Sequence, residues 1–381
     1  MRAIIIYNNF LDSQGNKLRV GGIETYLVRL SELCVDLGFE VWIIQHSLVK
    51  FVKNVGSVRV IGITEKHPRR IKHRLLNEAL RLKPGPDDLV IFGTDRLAAK
   101  IKETHSVSIQ HGVAWDLPIE YYNKRVGDRF SWFARVRIWK ARLVCLRNFR
   151  QCPNRVCVDY NFLNWYKTHK PGERDSRIWV IPNFAQIADR AKALTKHSSK
   201  GSVRILFARR FEQYRGTRLF ASAIKRLLAE SQTIEVSFLG EGSEEAWLRS
   251  TFEDCPGVTF GRYHPDDSAE AHLAHHIAVI PSVGSEGTPF SVAEAMAAGC
   301  CIVASHVGGI TNMIINGYNG ILVAPDTTSL YQGLRQVIHD GELRRRLGTT
   351  AYETAVYSFS ATRWKEAWKE VIVKILGSEI A

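Results

Sequence analysis

The chain has 381 residues, of which 45% are hydrophobic and 24% carry a formal charge. This length and composition indicate a folded protein with room for two domains, and they exclude extensive disorder. No run of about 18 apolar residues lacks charged or polar interruptions, so a membrane-spanning helix is not expected. The apolar run at the amino terminus is too short for a signal peptide, and seven cysteines without a Cys-x-x-Cys pair indicate reduced thiols in a cytoplasmic protein.

The net charge of +14 is concentrated in the first half of the chain. Residues 1–200 contain 35 Lys and Arg against 18 Asp and Glu, a net charge of +17, whereas residues 201–381 carry a net charge of −3. Such asymmetry predicts that one face of the first half meets an anionic partner. A membrane surface, a phosphorylated acceptor and nucleic acid are the candidates.

Short apolar segments alternate with helical patterns through the first 200 residues. A first helix is predicted at residues 23–37, and strands at residues 3–7, 39–45, 58–63, 89–92, 107–110, 156–158 and 178–181. This alternation favours a parallel sheet covered by helices, with functional groups at the carboxyl ends of the strands. Gly21, Gly22 and the segment Gln110-His111-Gly112 lie at such ends.

Two basic segments, residues 66–83 and 124–150, interrupt this pattern. Each combines Lys and Arg with apolar residues at helical spacing, and the second is rich in aromatic residues and has nine Lys and Arg opposed only by Asp128. A cationic amphipathic helix suits an anionic membrane surface, but a solvated basic face over a core-packing stripe explains the pattern equally well. Nucleic-acid binding is a third interpretation, although no nucleic-acid motif accompanies the charge.

A second series of strands and helices follows a linker at residues 170–202. Strands are predicted at residues 203–207, 234–239, 258–260, 277–280, 301–304 and 321–323. The last helix has an apolar stripe made by Trp364, Trp368, Val371 and Ile375. The second half therefore predicts another parallel sheet covered by helices.

The loop and helix after the fourth strand of this second series have the strongest functional signal. Thr288 is placed as the N-cap of a short helix, Pro289 as its first residue, and Gly299 ends it. A helix N-terminus at the edge of a sheet favours anions. Two carboxylates, Glu286 and Glu294, flank the first turn of this helix.

This segment resembles the donor site of the family 4 retaining glycosyltransferases, whose signature is a Glu, seven residues and a second Glu. The surrounding residues match as well: Glu286-Gly287-Thr288-Pro289, Glu294-Ala295-Met296-Ala297 and Val307-Gly308-Gly309. The resemblance implies the GT-B fold, two Rossmann-like parallel-sheet domains that face each other across a cleft. It implies an acceptor domain at residues 1–185, a donor domain at residues 186–360, and a C-terminal helix at residues 361–381 that crosses back to the first domain.

The resemblance also implies roles for residues of the second half. Arg210 and Arg215 would grip the donor diphosphate, although Arg209 stands where the family usually has Gly and Arg215 replaces a Lys. Glu294 would accept hydrogen bonds from the ribose hydroxyls. Glu286 would hold the sugar hydroxyls and the phosphate together with the backbone N–H groups of Thr288, Pro289 and Phe290.

Other positions receive roles in the same way. His111 would face the transferred sugar, so His111 and Glu286 are the catalytic candidates. Gly22 would lie beside the donor phosphates and the acceptor, Gly240 near the nucleotide, and Tyr263 where the base binds. Asn312 stands where relatives often have Glu.

These matches predict a retaining glycosyltransferase that needs no metal or other cofactor, since the chain also lacks an Asp-x-Asp pair. It would move a hexose from GDP-mannose, GDP-rhamnose or a UDP-hexose to a lipid-linked saccharide acceptor in surface polysaccharide or lipopolysaccharide synthesis. The basic first domain would hold the protein at the inner face of the cytoplasmic membrane. The alternatives are a nucleic-acid-binding protein that uses the basic half, and a sugar-nucleotide binder without catalysis.

Overall fold

The computed structural model describes residues 1–113, 115–116, 131–170, 177–198, 201–230 and 233–377. Within them the chain forms two lobes, each a sheet covered by helices. The predicted basic segment at residues 124–150 and the predicted linker at residues 170–202 lie partly outside the described residues, as do the last four residues of the predicted segment 361–381.

The described part of the first lobe has one sheet with the strand order β3-β4-β2-β1-β5-β6-β7-β8. Its strands are β1 (Arg2–Ile6), β2 (Glu40–His46), β3 (Phe51–Val55), β4 (Val58–Ile63), β5 (Leu89–Phe92), β6 (His105–Gln110), β7 (Asn154–Cys157) and β8 (Ile178–Val180). All pairs are parallel except β3 with β4. The predicted strands are confirmed, whereas β3 was missed because this edge strand is mostly exposed and has no apolar run.

Four helices of the first lobe lie within the described residues: α1 (Gly22–Asp36), α2 (Ile71–Arg81), α3 (Ser131–Phe149) and α4 (Tyr160–His169). Helix α1 begins one residue earlier than predicted and buries Tyr26, Leu27 and Leu30 against the sheet. Its first turn therefore lies at the carboxyl edge of the strands, where Gly22 faces the second lobe.

The described part of the second lobe has one parallel sheet with the order β11-β10-β9-β12-β13-β14. Its strands are β9 (Val203–Ala208), β10 (Ile234–Leu239), β11 (Val258–Gly261), β12 (Ile277–Ile280), β13 (Cys301–Ser305) and β14 (Ile321–Val323). The helices are α5 (Arg190–Thr195), α6 (Thr217–Glu230), α7 (Glu245–Thr251), α8 (Ser268–Leu273), α9 (Phe290–Ala297), α10 (Thr327–His339) and α11 (Gly341–Ser358). The six predicted strands are confirmed, and their buried residues form the core of this lobe.

The last helix, α12 (Ala361–Leu376), crosses back to the first lobe, as the resemblance implied. Its apolar stripe is buried in the core of the first sheet rather than in that of the second. The indole of Trp368 donates a hydrogen bond to the hydroxyl of Tyr26 over 2.7 Å. The chain passes from the first lobe to the second near Ala185 and returns near residue 360. These two crossings lie side by side, since the backbone of Ala185 is hydrogen-bonded to that of Phe359 and Ala361.

Among the described residues, no helix is long and apolar enough to cross a membrane. All seven cysteines are unpaired. The domain limits at residues 185 and 360 remain predictions.

Candidate functional site

The loop after β12 lies between the lobes because glycines allow a close approach of backbones. Gly112, which follows β6, has a φ of +98°, and a side-chain carbon there would lie 2.6 Å from the backbone nitrogen of Gly287. Neither the left-handed conformation nor the space admits a larger residue. The backbone of the first lobe at His111 therefore lies directly against the loop that contains Glu286.

Thr288 joins the lobes instead of capping helix α9. The helix begins at Phe290 and its N-cap is Pro289, in an extended conformation and without a side-chain capping bond, so the predicted N-cap at Thr288 and first helical residue at Pro289 are wrong by one position. The Thr288 hydroxyl donates to the Val158 carbonyl and accepts from the Asn183 N–H, each over 2.8 Å. The Thr288 hydroxyl is therefore hydrogen-bonded to backbone groups of the first lobe and does not cap helix α9.

Pro289 also corrects the predicted set of backbone donors. Proline has no N–H, so only Thr288 and Phe290 of the three proposed residues can donate from the backbone. The ring of Phe290 lies 3.6 Å from the position that a side-chain carbon on Gly22 would occupy. Gly22 and Phe290 are thus brought together across the cleft, as their predicted roles require, although those roles are not tested by this contact.

Glu286 is the centre of a nearly buried charged cluster. Its Oε1 accepts from Arg209 Nη2 over 2.6 Å and from the Ser282 hydroxyl, and its Oε2 accepts from Arg215 Nη1. The side chains of Arg209 and Glu286 are 6% and 10% exposed. Burial alone would raise the pKa of Glu286, but the positive charges of Arg209 and Arg215 lower that pKa well below its ordinary value, so the carboxylate is ionised.

Arg209, rather than Arg210, shares the cluster with Arg215. Arg209 also donates from Nη1 to the Ser282 hydroxyl over 2.7 Å. The Arg210 side chain is exposed and has no hydrogen bond or ion pair with any residue that the structure describes. Successive residues at the end of β9 point to opposite sides, so only one of two adjacent arginines can face Glu286. The sequence analysis chose Arg210 because its spacing to Arg215 matches the family's pattern. Its contact with the donor stays a prediction.

The loop that contains Gly240 packs against the backbone of Arg209. A side-chain carbon on Gly240 would lie 2.2 Å from the carbonyl oxygen of Arg209, closer than any real contact. The Arg209 N–H donates to Leu239 O over 3.1 Å, and Phe211 N–H donates to Glu241 O over 2.8 Å. Gly240 therefore allows two backbone segments to pack closely at the end of β9, which explains this glycine without a bound nucleotide.

His111 is neutral and fixed in one orientation. Its Nε2 lies 2.9 Å from the carbonyl oxygen of Gly93, and because a carbonyl only accepts, Nε2 carries the proton and Nδ1 has a free lone pair. Its ring meets the ring of Tyr26 edge to face, with centroids 5.4 Å apart. Burial lowers the pKa of His111 to about 4, although the Gly93 carbonyl acts in the opposite direction.

Glu294 and Tyr263 lie near each other in the second lobe. Burial raises the pKa of Glu294 to about 7, with Ser268 nearby acting in the opposite direction. Burial, and secondarily the charge of Glu294, raises the pKa of the Tyr263 hydroxyl. Tyr263 is partly buried and packs its ring edge to face with His272, so it is not the exposed aromatic that the sequence suggested.

Three further polar contacts between the lobes were not predicted. The Asn312 side chain accepts from the N–H groups of Tyr160 and Asn161, at 3.0 and 3.3 Å, and so caps helix α4 of the other lobe. Asp116 Oδ1 accepts from Ser285 N–H over 2.6 Å. The Arg29 guanidinium pairs with Asp266 over 2.7 Å. No local motif could have identified these contacts, because each partner lies more than 150 residues away in the chain.

The described residues contain no group of three or more His, Cys, Asp or Glu side chains placed to hold a metal ion. Within the part of the chain that the structure describes, the charges paired at the Glu286 cluster are those of Arg209, Arg215 and the carboxylate itself. Such an arrangement can bind an anion between fixed guanidinium groups and orient it with a carboxylate.

Residues 202–340 match the family described as "Glycosyl transferases group 1". The chain is 31% identical over 147 residues to the sulfoquinovosyl transferase of Arabidopsis thaliana, a match that covers 37% of this chain and 29% of that protein. It is 27% identical over 169 residues to the phosphatidyl-myo-inositol mannosyltransferase of Mycolicibacterium smegmatis, covering 43% and 44%. The chain thus spans less than half the length of these curated relatives.

Solved structures match over the whole chain. The sucrose-phosphate synthase of Thermosynechococcus elongatus is 16% identical, covers 100% of both chains and has a TM-score of 0.72. The Anabaena HepE protein in complex with UDP and glucose is 15% identical, covers 98% of this chain and 99% of its own, and has a TM-score of 0.68. The fold is therefore GT-B, and together with the family match it supports a glycosyltransferase enzyme.

Proposed function

We propose that the protein is a retaining glycosyltransferase that binds a nucleotide sugar between its lobes and transfers a hexose without a metal ion. The observation that carries this proposal is the buried cluster of Arg209, Arg215 and Glu286 at the junction of the lobes. A nucleoside diphosphate leaves with two phosphates whose charge must be stabilised as the glycosidic bond breaks, and two fixed guanidinium groups supply that stabilisation.

In this mechanism each polar group of the site has one task. Arg209 and Arg215 hold the diphosphate, and Glu286 orients both guanidinium groups and accepts hydrogen bonds from the sugar hydroxyls. Glu294, once ionised, accepts hydrogen bonds from the ribose. Neutral His111 faces the sugar and offers Nδ1 as an acceptor. The acceptor hydroxyl attacks the anomeric carbon on the face that the diphosphate leaves, and a phosphate oxygen takes its proton.

The donor is proposed to be a UDP-hexose or a GDP-linked sugar of the mannose or rhamnose type. The Anabaena structures with UDP and with UDP-glucose favour a nucleotide sugar of this kind for a chain with this fold. A lipid-linked saccharide acceptor in surface polysaccharide or lipopolysaccharide synthesis is proposed from the family resemblance. The name of the mycobacterial relative, a phosphatidyl-myo-inositol mannosyltransferase, favours a lipid-linked acceptor.

We also propose that the basic first lobe meets an anionic membrane surface through helix α3. Trp139, Leu143 and Val144 are exposed on this helix, among five Lys and Arg and no Asp or Glu. An apolar side chain exposed among cations suits the headgroup region of an anionic bilayer. The nucleic-acid alternative rests on the same charge and has no second observation in its favour.

The test is a transfer assay with candidate UDP- and GDP-sugars in EDTA, followed by determination of the anomeric configuration of the product. The proposal expects transfer from one donor class with retention, and loss of transfer in an Arg209→Ala variant. A product with inverted anomeric configuration would exclude the front-face mechanism. Transfer that strictly requires a divalent ion would exclude metal-independent catalysis. Strong binding to DNA or RNA that falls with salt, without binding of any sugar nucleotide, would favour the alternative.

A further inference from the structure

We propose that the first lobe has a second membrane-docking surface, formed by residues 16–20 and 48–53, that inserts aliphatic side chains into an anionic bilayer beside the acceptor end of the cleft. This inference rests on the proposed function, since it assumes an acceptor held in a membrane. We call these residues the loop surface.

The loop surface exposes five aliphatic side chains in two short segments. Val20 and Leu48 are 72% and 70% exposed, and the others, less exposed, are Leu18, Val49 and Val52. Scattered exposed aliphatic residues are ordinary, but four in two joined segments (Leu18, Val20, Leu48 and Val49) form the kind of patch that marks an interaction site. The sequence pattern could not reveal it, because the two segments are about thirty residues apart in the chain and come together only in the fold.

Specific contacts join the two segments. The Leu48 N–H donates to the Ser13 carbonyl over 2.8 Å. Lys53 Nζ donates to the carbonyl of Gly15 and to the side chain of Asn16, at 2.9 and 3.0 Å. The carboxylate of Asp12 accepts from the backbone N–H groups of three residues within its own loop. These bonds hold both segments together as one unit, from which Val52 points to the opposite face because it alternates with Phe51 and Lys53 along β3.

The charge of the loop surface selects the partner. It carries Lys17, Arg19, Lys50 and Lys53 and no acidic residue, and Asp12 directs its carboxylate to the backbone. Aliphatic side chains ringed by cations complement anionic headgroups over an acyl region. A protein interface would instead be expected to expose aromatic residues and to have little lysine, whereas the exposed apolar side chains here are all aliphatic and Phe51 packs over Gly15 and Gly62. A second copy of the chain would carry the same positive charge and would repel it.

The position of the loop surface fits a membrane-bound acceptor. Val20 directly precedes Gly21 and Gly22, which begin helix α1 at the cleft-facing edge of the first sheet. Helix α3 lies elsewhere on this lobe, since its Cys145 contacts Asp95 after β5, whereas Leu48 follows β2. Docking through the loop surface therefore brings the membrane to the edge of the cleft itself.

The test is cosedimentation of the full chain with vesicles made of phosphatidylethanolamine and phosphatidylglycerol, and with vesicles of phosphatidylcholine alone. A Val20→Ser/Leu48→Ser variant is expected to lower partitioning into the anionic vesicles about tenfold, since each side chain loses its burial in the bilayer. A Lys17→Gln/Lys50→Gln variant is expected to lower it by about fivefold per lysine, at low salt only. The lysine variant is not expected to affect phosphatidylcholine binding, because that headgroup has no net charge.

Two controls make the outcome specific. The matched variant Ile315→Ser/Tyr318→Ser removes exposed apolar side chains from the second lobe and is expected to partition like the unaltered chain. Titration of each variant with UDP and GDP reports the proposed function separately, because the loop surface is outside the nucleotide site. A chain that binds nucleotide but whose loop-surface variants sediment normally would overturn the inference and leave the proposed function intact. The inference is also overturned if these variants abolish a dimer without changing vesicle binding.

Discussion

Arg209 donates from Nη2 to Oε1 of Glu286 over 2.6 Å, in a pair of which neither side chain is more than 10% exposed. The second carboxylate oxygen is taken by Arg215. A single carboxylate thus holds two guanidinium groups whose positive charge it cannot fully balance. The cluster therefore keeps one positive charge in excess, which the proposed diphosphate would balance.

Glu286→Gln is expected to separate catalysis from binding. The amide keeps the size of the side chain and can still accept from one arginine, so the nucleotide should bind within about threefold of the unaltered affinity, whereas transfer should fall at least about 100-fold. Single-turnover transfer and calorimetric binding measure the two effects. The control is Glu342→Gln, which removes an exposed carboxylate paired with Arg345. Equal losses of binding and transfer would contradict this division of tasks.

The paired variants Arg209→Ala and Arg210→Ala decide which arginine grips the diphosphate. Loss of a charged hydrogen-bonding group that faces the donor is expected to weaken nucleotide binding by about 10- to 100-fold in Arg209→Ala. Arg210→Ala should change it by less than about threefold, because this side chain is exposed and outside the Glu286 cluster. Calorimetry on both proteins measures the difference. If Arg210→Ala weakened nucleotide binding more than Arg209→Ala, Arg210 would be the diphosphate-binding residue, as the sequence spacing predicted.

Nucleotide affinity is expected to increase with pH through the ionisation of Glu294. Its pKa of about 7 means that the carboxyl is largely protonated at pH 6 and ionised at pH 8. If only the carboxylate accepts from both ribose hydroxyls, affinity should rise about tenfold across that interval. His111, with a pKa of about 4, stays neutral throughout. Calorimetric titrations at both pH values should show this rise in the unaltered chain and none in Glu294→Gln; a rise of equal size in both would exclude Glu294 as its source.

The same carboxyl predicts how the stability of the nucleotide-free protein depends on pH. Its folded pKa lies above the ordinary value of 4.5, so its stabilising contribution is complete below pH 4.5 and is lost as pH rises through 7. The free energy of unfolding should therefore fall by on the order of 3 kcal/mol over this interval relative to Glu294→Gln. Urea unfolding of both proteins at several pH values measures the difference, and parallel curves would contradict the prediction.

Thr288→Val tests the contact between the lobes. The substitution keeps the shape of the side chain but leaves the Val158 carbonyl and the Asn183 N–H without their partner, at a cost of about 1–3 kcal/mol in unfolding free energy. Urea denaturation provides the measurement. Thr349→Val is the matched control, since that hydroxyl donates to Arg345 O within its own helix. A loss of stability no larger than in the control would show that the hydroxyl does not hold the lobes together.

Features of the fold that depend on local sequence pattern were predicted correctly. Features that depend on contacts with residues distant in the chain were missed or misassigned. Apolar segments identified the buried strands, and the stripe of Trp364 and Trp368 identified a helix that buries one face. The exposed edge strand β3 has no such pattern, and its pairing with β4 becomes visible only in the fold. Alternation, periodicity and chain spacing therefore define the architecture but not its exposed edges.

The candidate site shows the same division. Glu286 and Glu294 were predicted from the family's spacing; the structure places Glu286 at the junction of the lobes and Glu294 near Tyr263 in the second lobe. Arg209 and Arg210 are chemically identical neighbours, so only the direction of the backbone at the end of β9 distinguishes them. Thr288 has the composition of an N-cap, but two backbone groups of the other lobe compete for its hydroxyl. This competition depends on tertiary contacts and therefore cannot be predicted from a local sequence motif.

The central claim is that the Arg209, Arg215 and Glu286 cluster binds the diphosphate of a nucleotide sugar without a metal ion. The most direct test is calorimetric titration of the full chain with UDP and with GDP in the presence of EDTA. We predict that one of them binds, that Arg209→Ala weakens this binding by about 10- to 100-fold, and that Glu342→Gln leaves it unchanged. Failure of both nucleotides to bind, or binding that Arg209→Ala does not alter, would contradict the claim.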